Sequence, residues 1–348
     1  MSSDAATPIW DTFLEGLVPD SFPASRVLVT GGSGFIGTCL VQALVAAGRE
    51  VVSLDREAPR HPGHGPHWRQ VDLLDGEALA REIKEFSPEI VFHLAARTDL
   101  DETVGAKGYA VNDVGVENLF GALRGLPSLQ RLVVTSTQLV CRPGYLPTSD
   151  TDYAPHTEYG RSKVRTEQIT RAWEDPPCPW TLVRPTSIWG PWFRQPYRDF
   201  FMAVARNRFV NARGVSPLRS FGFVGNVVHQ YTRIVEAPAE AIDRKTFYLA
   251  DHDVTELRQW ANLVQQELGV RPVRDVPKPL LVAVARAGDV LAALGWRSVP
   301  LTTFRLGNML GDNVVDMQPT QAIVNTTPFG LQKDVRRTTA WMRSEGLV

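Results

Sequence analysis

Cysteine is scarce in this sequence, and the three cysteines form no recognisable site. Cys39, Cys141 and Cys178 lie far apart among 348 residues, without the paired spacing of a zinc site or a disulfide framework. Unpaired cysteines are typical of reducing compartments, whereas secreted domains oxidise them in pairs. We therefore expect a cytoplasmic protein.

An excess of one charge and long apolar runs are also missing. The 37 Lys and Arg residues nearly balance 38 Asp and Glu residues, and the formal net charge is −1. No basic block is present, which argues against nucleic acid or an anionic membrane as a partner. No apolar run approaches the roughly 18 residues of a membrane span, and the start of the chain has no signal-peptide pattern. We expect a soluble protein that binds small molecules.

Metal ligands are equally sparse. The segment 57–68 is rich in Pro, Gly and His and is predicted to be a loop. His61, His64 and His67 recur there at every third position, but the prolines and glycines between them argue against a helix. No carboxylate or cysteine completes a set of three or four ligands, so we expect no metal site.

What the sequence does contain is a glycine-rich turn between a short β-branched run and a longer apolar run. The first run, Arg26–Thr30, is typical of a strand, and residues 35–47 are typical of a helix. Gly31 would permit the tight turn, Gly34 would leave room for a pyrophosphate, and Gly37 would let the helix pack closely on the strand. The pattern predicts a dinucleotide-binding turn, with phosphates at the amino end of the helix.

The residues after the second predicted strand bear on the choice of cofactor. Residues 50–54 form that strand, and Asp55 follows about 20 residues past the glycines, where an acid can bind the adenosine ribose hydroxyls. Arg56 comes next and could instead contact a 2′-phosphate. We expect NAD, with NADP less favoured.

Strand-like and helix-like segments alternate through the first half of the chain. This alternation predicts an α/β fold of the Rossmann type, a doubly wound parallel sheet covered by helices on both faces. The predicted strands are 26–30, 50–54, 68–71, 89–95, 131–135 and 180–184, and the predicted helices are 35–47, 76–85, 111–123, 158–173, 199–208 and 255–268.

The same alternation predicts the domain organisation. Residues 1–25 would form an N-terminal arm, with Trp10, Phe13, Leu14 and Leu17 on one helical face. Residues 26–185 would form the NAD-binding domain, to which segments near 220–250 would return. Residues 186–348 would form mainly a smaller C-terminal substrate-binding lobe.

A tyrosine and a lysine carry the predicted chemistry. Tyr159 and Lys163 are spaced i, i+4, which places the phenol and the ammonium on one helical face. The pKa of a free tyrosine lies near 10, and a neighbouring cation should lower it. A hydroxyl to orient the substrate oxygen is expected at the carboxyl end of the preceding strand, within residues 131–137.

These motifs resemble those of the extended short-chain dehydrogenase/reductase family, in the branch of nucleotide-sugar epimerases, dehydratases and 4-keto reductases. The similarity runs from Arg26 to the C-terminus. The matching motifs are residues 30–37, Asp72 and Leu73, 91–96, Asn112, 135–137, 159–163, Arg184 and Pro185, Gly190 and Pro191, and 219–227.

The resemblance implies roles for individual residues. Tyr159 would be the acid/base, Lys163 would hold the nicotinamide ribose, and Thr137 would orient the reacting oxygen, while Asn112 would support Lys163 indirectly. The implied cofactor-binding residues are Gly31, Gly34, Phe35, Ile36, Gly37, Asp55, Arg56, Asp72, Leu73, Leu94, Ala95, Ala96, Asn112, Tyr159, Lys163 and Pro185. The implied substrate-binding residues are Thr98, Thr137, Ser187 and Arg219. We also expect a homodimer.

Departures from the family pattern reduce the number of reactions that we expect this protein to catalyse. Dehydratases of the family usually carry Asp-Glu after the catalytic Ser/Thr, whereas this chain has Gln138 and Leu139, so we expect no loss of water. Ser187 replaces an Asn that contacts the substrate diphosphate in relatives, which weakens the nucleotide-sugar interpretation. Arg219 is retained, and an arginine at this place clamps the diphosphate in relatives.

Three interpretations remain open. The first is an NAD-dependent epimerase or 4-keto reductase acting on a nucleotide-activated sugar. The second is a dehydrogenase or isomerase of a hydrophobic hydroxy compound such as a sterol, which parts of the C-terminal sequence resemble. The third is a non-catalytic dinucleotide-binding sensor, against which the intact Thr137, Tyr159 and Lys163 argue.

Two further residues have simpler interpretations. His93 lies within an apolar strand and is expected to be a hydrogen-bonded core histidine. Cys141 is expected to be a small core residue, although reductases of this branch that epimerise can use a cysteine near the substrate.

Overall fold

The computed structural model describes residues 12–100, 105–296, 299 and 301–348. The strands are β1 Arg26–Thr30, β2 Glu50–Asp55, β3 Trp68–Gln70, β4 Ile90–His93, β5 Arg131–Thr135, β6 Trp180–Pro185, β7 Ser187–Trp189, β8 Val210–Ala212, β9 Leu218–Arg219, β10 Phe221–Phe223, β11 Lys245–Leu249, β12 Thr255–Glu256 and β13 Arg274–Val276. The helices are α1 Phe35–Ala46, α2 Gly76–Phe86, α3 Val114–Leu123, α4 Glu158–Arg171, α5 Tyr197–Ala205, α6 Val224–Glu236, α7 Ala239–Ile242, α8 Leu257–Leu268, α9 Lys278–Ala293, α10 Thr303–Leu310, α11 Gln318–Ile323 and α12 Leu331–Ser344. Short 3₁₀ helices span Pro62–His67, Ala106–Asn112 and Gln138–Val140.

A seven-stranded sheet forms the centre of the molecule, in the order β11-β6-β5-β4-β1-β2-β3. Every pairing in it is parallel. The chain runs outward from β1 through β3 and then returns to place β4 on the other side of β1. Parallel sheets open a crevice where the strand order reverses, at the carboxyl ends of the strands on either side of the reversal. The predicted Rossmann-type fold is confirmed.

Helices cover both faces of this sheet. On one face, Leu40 of α1 and Val227 of α6 share a core with the inward side chains of β1 and β4. On the other face, Leu79 of α2 and Leu119 of α3 pack on the alternate side chains of the same strands. Burial on both sides explains why these strands are almost continuously apolar.

The chain leaves this sheet after β6 and returns to it at β11. β11 pairs with β6 along its length, from Lys245 opposite Thr181 to Leu249 opposite Pro185. Between and after these strands, three two-stranded pairs, β7 with β10, β9 with β12 and β8 with β13, support the rest of the C-terminal half. The N-terminal segment packs against α6, where the Thr232 hydroxyl donates to Leu17 O at 3.2 Å. Trp10 lies outside the described residues.

Local differences from the predicted elements have identifiable causes. Segment 57–68 is not a simple loop, because the 3₁₀ helix Pro62–His67 begins with a proline in its first turn, and the ring of His61 accepts from Gly63 N–H at 3.1 Å. The helix predicted at 199–208 begins earlier, at Tyr197. The two-residue and three-residue strands of the C-terminal half were not predicted, since such short pairs leave no period in the sequence. Among the described residues, no helix is both long and apolar enough to span a bilayer.

Candidate active site

One cavity of about 2430 Å³ lies over the carboxyl ends of the central strands. All but one of the implied cofactor- and substrate-binding residues line it. They are Gly31, Gly34, Phe35, Ile36, Gly37, Asp55, Arg56, Asp72, Leu73, Leu94, Ala95, Ala96, Thr98, Thr137, Tyr159, Lys163, Pro185, Ser187 and Arg219. The exception is Asn112, which is buried behind the cavity wall.

The glycine turn leaves no space for a side chain at Gly31 or at Gly37. Gly31 has a φ of +75°, and a Cβ there would lie 2.5 Å from Ala95 N. A Cβ on Gly37 would lie 2.2 Å from Gly31 O. At Gly34 the neighbour of a Cβ within 4 Å is Gly31 O at 3.0 Å, so the space beyond this residue is open to the cavity. The turn therefore brings backbone rather than side chains to the cavity surface.

The amino end of α1 faces the same space. Its first intrahelical hydrogen bond runs from Thr38 N to Gly34 O at 2.9 Å, so the amides of Phe35, Ile36 and Gly37 precede the hydrogen-bonded turns. The first turn carries no acidic side chain. Exposed amides and the helix dipole suit an anionic group. This geometry fits the pyrophosphate of a dinucleotide.

Asp55 is placed by two backbone amides. Its carboxylate accepts from Ser33 N at 3.0 Å and from Glu57 N at 3.0 Å. Burial raises the pKa of Asp55, and the two amide hydrogen bonds oppose that shift. The Arg56 side chain is 72% exposed and lies 3.9 Å from Glu57, so it extends mostly into solvent. The carboxylate, rather than the guanidinium, is fixed at the cavity wall.

Tyr159 is positioned by the start of α4. The Thr157 hydroxyl caps this helix by accepting from Gly160 N at 3.0 Å, and a Cβ on Gly160 would lie 2.4 Å from Leu139 O. This close contact holds the first turn of α4 against the turn that follows Thr137. The Thr137 side chain lies near the Tyr159 phenol and favours its ionised form. Both residues are buried.

The pKa of Tyr159 differs from the expectation that a neighbouring cation lowers it. Burial raises this pKa to about 12, while the nearby Thr137 side chain opposes the shift and Tyr109 adds to it. The expected lowering of the pKa is not found, because removing the phenolate from water costs more free energy than the neighbouring groups provide. Burial also lowers the pKa of Lys163 to about 8, against the opposing charge of Glu167.

Residues 27–250 match the NAD dependent epimerase/dehydratase family, and this match covers most of the chain. The chain belongs to this family. It is an NAD-dependent enzyme of the extended short-chain dehydrogenase/reductase type, as its motifs predicted, and NAD is its cofactor.

Similar proteins in this family carry out different reactions. The chain is 26% identical over 329 residues to a dTDP-glucose 4,6-dehydratase of Neisseria gonorrhoeae, covering 81% of this chain and 93% of the relative. It is 27% identical over 263 residues to a 3 beta-hydroxysteroid dehydrogenase/Delta 5-->4-isomerase of Mycobacterium tuberculosis, covering 71% and 70%. The UDP-glucose 4-epimerase of Thermus thermophilus in complex with NAD superposes with a TM-score of 0.68 at 22% identity, covering 91% and 99%. The reaction therefore has to be argued from the site.

Asn112 connects two parts of the epimerase-type site without lining the cavity. Its amide oxygen accepts from Arg97 N at 2.8 Å, and its amide nitrogen donates to the Ser162 hydroxyl at 2.8 Å. Arg97 follows β4, and Ser162 precedes Lys163 on α4. Asn112 therefore joins the segment after β4 to the helix that carries Tyr159 and Lys163.

A row of uncharged polar side chains lines the substrate side. Gln138 donates from Nε2 to the Ser187 hydroxyl at 3.2 Å, and Asn313 donates from Nδ2 to Gln138 Oε1 at 3.3 Å. The sequence analysis missed Asn313, because it lies 175 residues from Gln138 in the chain. Its backbone pairing with β9 brings it to the site.

Arg219 lines the cavity but donates to backbone carbonyls. Its guanidinium contacts Gly311 O and Asn308 O at the carboxyl end of α10, and Leu218 O at 3.3 Å. Burial lowers its pKa. In this arrangement the guanidinium stabilises the end of a helix.

Arg60 is a further cation of the cavity lining that the sequence did not indicate. It lines the cavity near Asp55 and donates to Trp192 O at 2.8 Å. Burial and the nearby Arg194 lower its pKa to about 10. Nothing in the sequence marks Arg60, because it lies in an irregular segment that only the fold places beside the cofactor groove.

His93 and Cys141 lie outside the reacting centre. His93 is fully buried and forms a hydrogen bond of 2.7 Å between Nδ1 and the Thr30 hydroxyl, which confirms the predicted core histidine. Burial and the nearby Lys163 lower its pKa to about 3, so it stays neutral. The Cys141 thiol is buried, contacts Asp152 O at 3.4 Å and does not line the cavity.

Proposed function

We propose that this enzyme moves a hydride to and from a ring carbinol of a nucleotide-activated sugar, inverting a centre or reducing a ketone without loss of water. The observation that carries the proposal is that Thr137 and Tyr159 line the same cavity as the glycine turn. The cofactor and the acid/base thus share one space.

A residue of the cavity can be assigned to each step of the proposed chemistry. Thr137 holds the substrate oxygen by a hydrogen bond, and Tyr159 exchanges a proton with that oxygen as the carbon changes between alcohol and ketone. Lys163, four residues after Tyr159 on α4, holds the nicotinamide ribose. NAD, held by the glycine turn, Asp55 and Lys163, would supply the hydride acceptor for oxidation of the carbon and the hydride donor for its reduction.

The side chains beyond Thr137 support a reaction that keeps water in the sugar. Elimination needs an acid for the leaving hydroxyl and a base for the adjacent proton. Gln138 is an amide engaged with Ser187 and Asn313, and Leu139 is apolar. Neither can transfer a proton, whereas their hydrogen-bonding neighbours suit the hydroxyl groups of a sugar.

The proposed diphosphate anchor requires a rearrangement. Arg219 lies at the cavity wall, and its planar guanidinium matches two phosphate oxygens. To bind them it must exchange carbonyl contacts at the end of α10 for the diphosphate. Substrate binding would then be coupled to the position of that helix.

Two measurements test the reaction. Denaturing the purified protein and assaying released nucleotide distinguishes an epimerase, which keeps its cofactor through both half-reactions, from a reductase, which exchanges it. We expect nearly one NAD per chain, which favours the epimerase. Melting temperatures with UDP, GDP, CDP and dTDP identify the nucleotide, because a ligand that binds only the folded state raises its stability.

A hydrophobic hydroxy compound is the second candidate. Phe200 and Trp260 stack at 4.2 Å between ring centroids and, with Phe209, form part of the cavity wall. This apolar wall could hold a fused ring system, and one relative is a steroid dehydrogenase. If no nucleoside diphosphate shifts the melting temperature and a hydrophobic alcohol is oxidised, this candidate replaces the first.

A further inference from the structure

The helix α9 has one face fixed against the protein. Leu281 and Ala285 pack in a small core with Leu306 of α10. Gly288 lies so close to the segment after α9 that a Cβ on it would be 1.9 Å from Leu301 O. These contacts determine which side of α9 faces outward.

The outward face of α9 and the turn after it are apolar. Along this face the exposed fractions are 55% for Leu280, 49% for Val284, 60% for Val290, 73% for Leu294 and 65% for Trp296. Ala283 and Ala287 are exposed between them. On a helix of 3.6 residues per turn these positions form one continuous stripe. An apolar stripe of this extent marks an interaction surface rather than ordinary exposed surface.

Cations surround the amino end of this stripe. Arg271, Arg274 and Lys278 are exposed just before or at the start of α9. The exposed Arg213 is brought to them by a hydrogen bond from its N–H to Val276 O at 2.8 Å. The near-zero net charge is an average over the whole chain. This face is locally basic and can therefore bind an anionic partner.

Two acids close to this cluster in the sequence have partners of their own. Asp275 forms an ion pair of 2.5 Å with Arg258. Asp289 accepts a hydrogen bond from Thr303 N at 3.0 Å. A second copy of this chain would bring the same exposed cations to the contact, whereas an anionic lipid surface brings the opposite charge.

We propose that the outer face of α9 binds an anionic lipid surface. Leu280, Val290 and Leu294 enter the boundary between headgroups and acyl chains, Trp296 lies at the interface, and the cations contact lipid phosphates. Because α9 packs on α10, whose Asn308 and Met309 line the cavity, this contact places the substrate cavity beside the lipid. The proposal does not depend on the reaction.

Sedimentation with lipid vesicles tests the proposal. We expect the wild-type protein to sediment with vesicles of phosphatidylcholine and phosphatidylglycerol, to bind phosphatidylcholine alone far more weakly, and to be released by high salt. The variant Arg271→Gln/Arg274→Gln/Lys278→Gln should bind the anionic vesicles on the order of a hundredfold more weakly. The variant Leu280→Gln/Val290→Gln/Leu294→Gln keeps every charge and should bind the anionic vesicles at least about tenfold more weakly than the wild type.

A matched control is Leu146→Gln, which removes a leucine that is 78% exposed on another segment and should leave vesicle binding unchanged. Failure of the wild-type protein to prefer anionic vesicles would overturn the proposal without need of any variant. Equal vesicle binding by the apolar triple variant and the Leu146→Gln control would also overturn it. A wild-type dimer in analytical ultracentrifugation that the apolar triple variant dissociates would assign the face to a second copy instead.

Discussion

At the scale of single residues, burial controls the acid/base chemistry. Tyr159 and Lys163 are both nearly inaccessible to solvent. Burial raises the pKa of Tyr159 and lowers the pKa of Lys163, so it favours the neutral form of each side chain. Burial raises the pKa of Tyr159 to about 12, so the neutral phenol is favoured at neutral pH. The phenol can therefore donate a proton to a substrate oxygen, and a nearby cation would favour the phenolate.

Replacing Tyr159 with Phe should abolish most turnover while leaving NAD binding intact. The phenol supplies the proton transfer, a contribution typically worth about 10² to 10⁴ in rate. Steady-state kinetics and NAD titration measure the two effects separately. Tyr145→Phe, on a loop outside the cavity lining, is the control and should behave as wild type. A Tyr159→Phe rate within about threefold of wild type would remove Tyr159 from this role.

Replacing Lys163 with Met should lower activity and raise stability at neutral pH. The shift of the Lys163 pKa from 10.5 to about 8 corresponds to a folding cost of about 3 kcal/mol below pH 8. Between about pH 8 and 10.5 the unfolded chain binds a proton that the folded chain does not, so wild-type stability rises and the advantage of Met disappears.

Urea unfolding of both proteins across this pH range measures the predicted difference. Lys84→Met, on the exposed side of α2, is the control and should show no such trend. A Lys163→Met protein less stable than wild type at pH 7 would show that the buried ammonium gains more from its neighbours than it loses in solvation.

At the scale of elements, the turn between β1 and α1 shows why a glycine pattern predicts structure. Each of these glycines is required by local sterics, and the same requirement recurs wherever a strand, a tight turn and a helix meet. The 3₁₀ helix Pro62–His67 could not be predicted in this way. Its His64 stacks on His61, which precedes the helix, with ring centroids 4.6 Å apart, and this contact depends on the packing of this one segment. Local demands are therefore predictable, and packing of irregular segments is not.

Replacing Gly37 with Ala should destabilise this turn and weaken NAD binding. A Cβ at this position would lie 2.2 Å from Gly31 O, which is backbone that cannot move away freely. We expect a loss of about 1–3 kcal/mol in the free energy of unfolding. Gly121→Ala on α3, where a Cβ has no neighbour within 4 Å, is the control and should be neutral or stabilising by up to about 1 kcal/mol. Equal unfolding midpoints for the two variants would contradict the steric argument.

At the scale of the whole molecule, distant segments close around the central sheet. Phe13 contacts Phe223 and Phe329 with ring centroids 5.8 Å and 5.9 Å apart, so the N-terminal segment touches both β10 and the approach to α12. Leu14 is fully buried in the core that also contains α1 and α6. This segment therefore contributes to global stability.

Replacing Leu14 with Ala should lower the free energy of unfolding by about 2–5 kcal/mol, because it leaves a cavity in this shared core. Thermal or urea unfolding measures the loss, with Leu146→Ala at an exposed site as the control. An unchanged midpoint for Leu14→Ala would mean that the segment is dispensable for folding.

The sequence by itself determined the Rossmann-type sheet, NAD as cofactor and the family of the enzyme. These follow from local patterns, namely apolar strands, a glycine turn followed by an acid, and an i, i+4 tyrosine–lysine pair. Each pattern depends only on residues that lie close together in the sequence. The tertiary structure alone brought Asn313 to Gln138, turned Arg219 toward the end of α10 and placed Arg60 beside the cofactor groove. It alone also showed that burial raises the pKa of Tyr159, because desolvation depends on what surrounds a side chain in space and not on its neighbours in sequence.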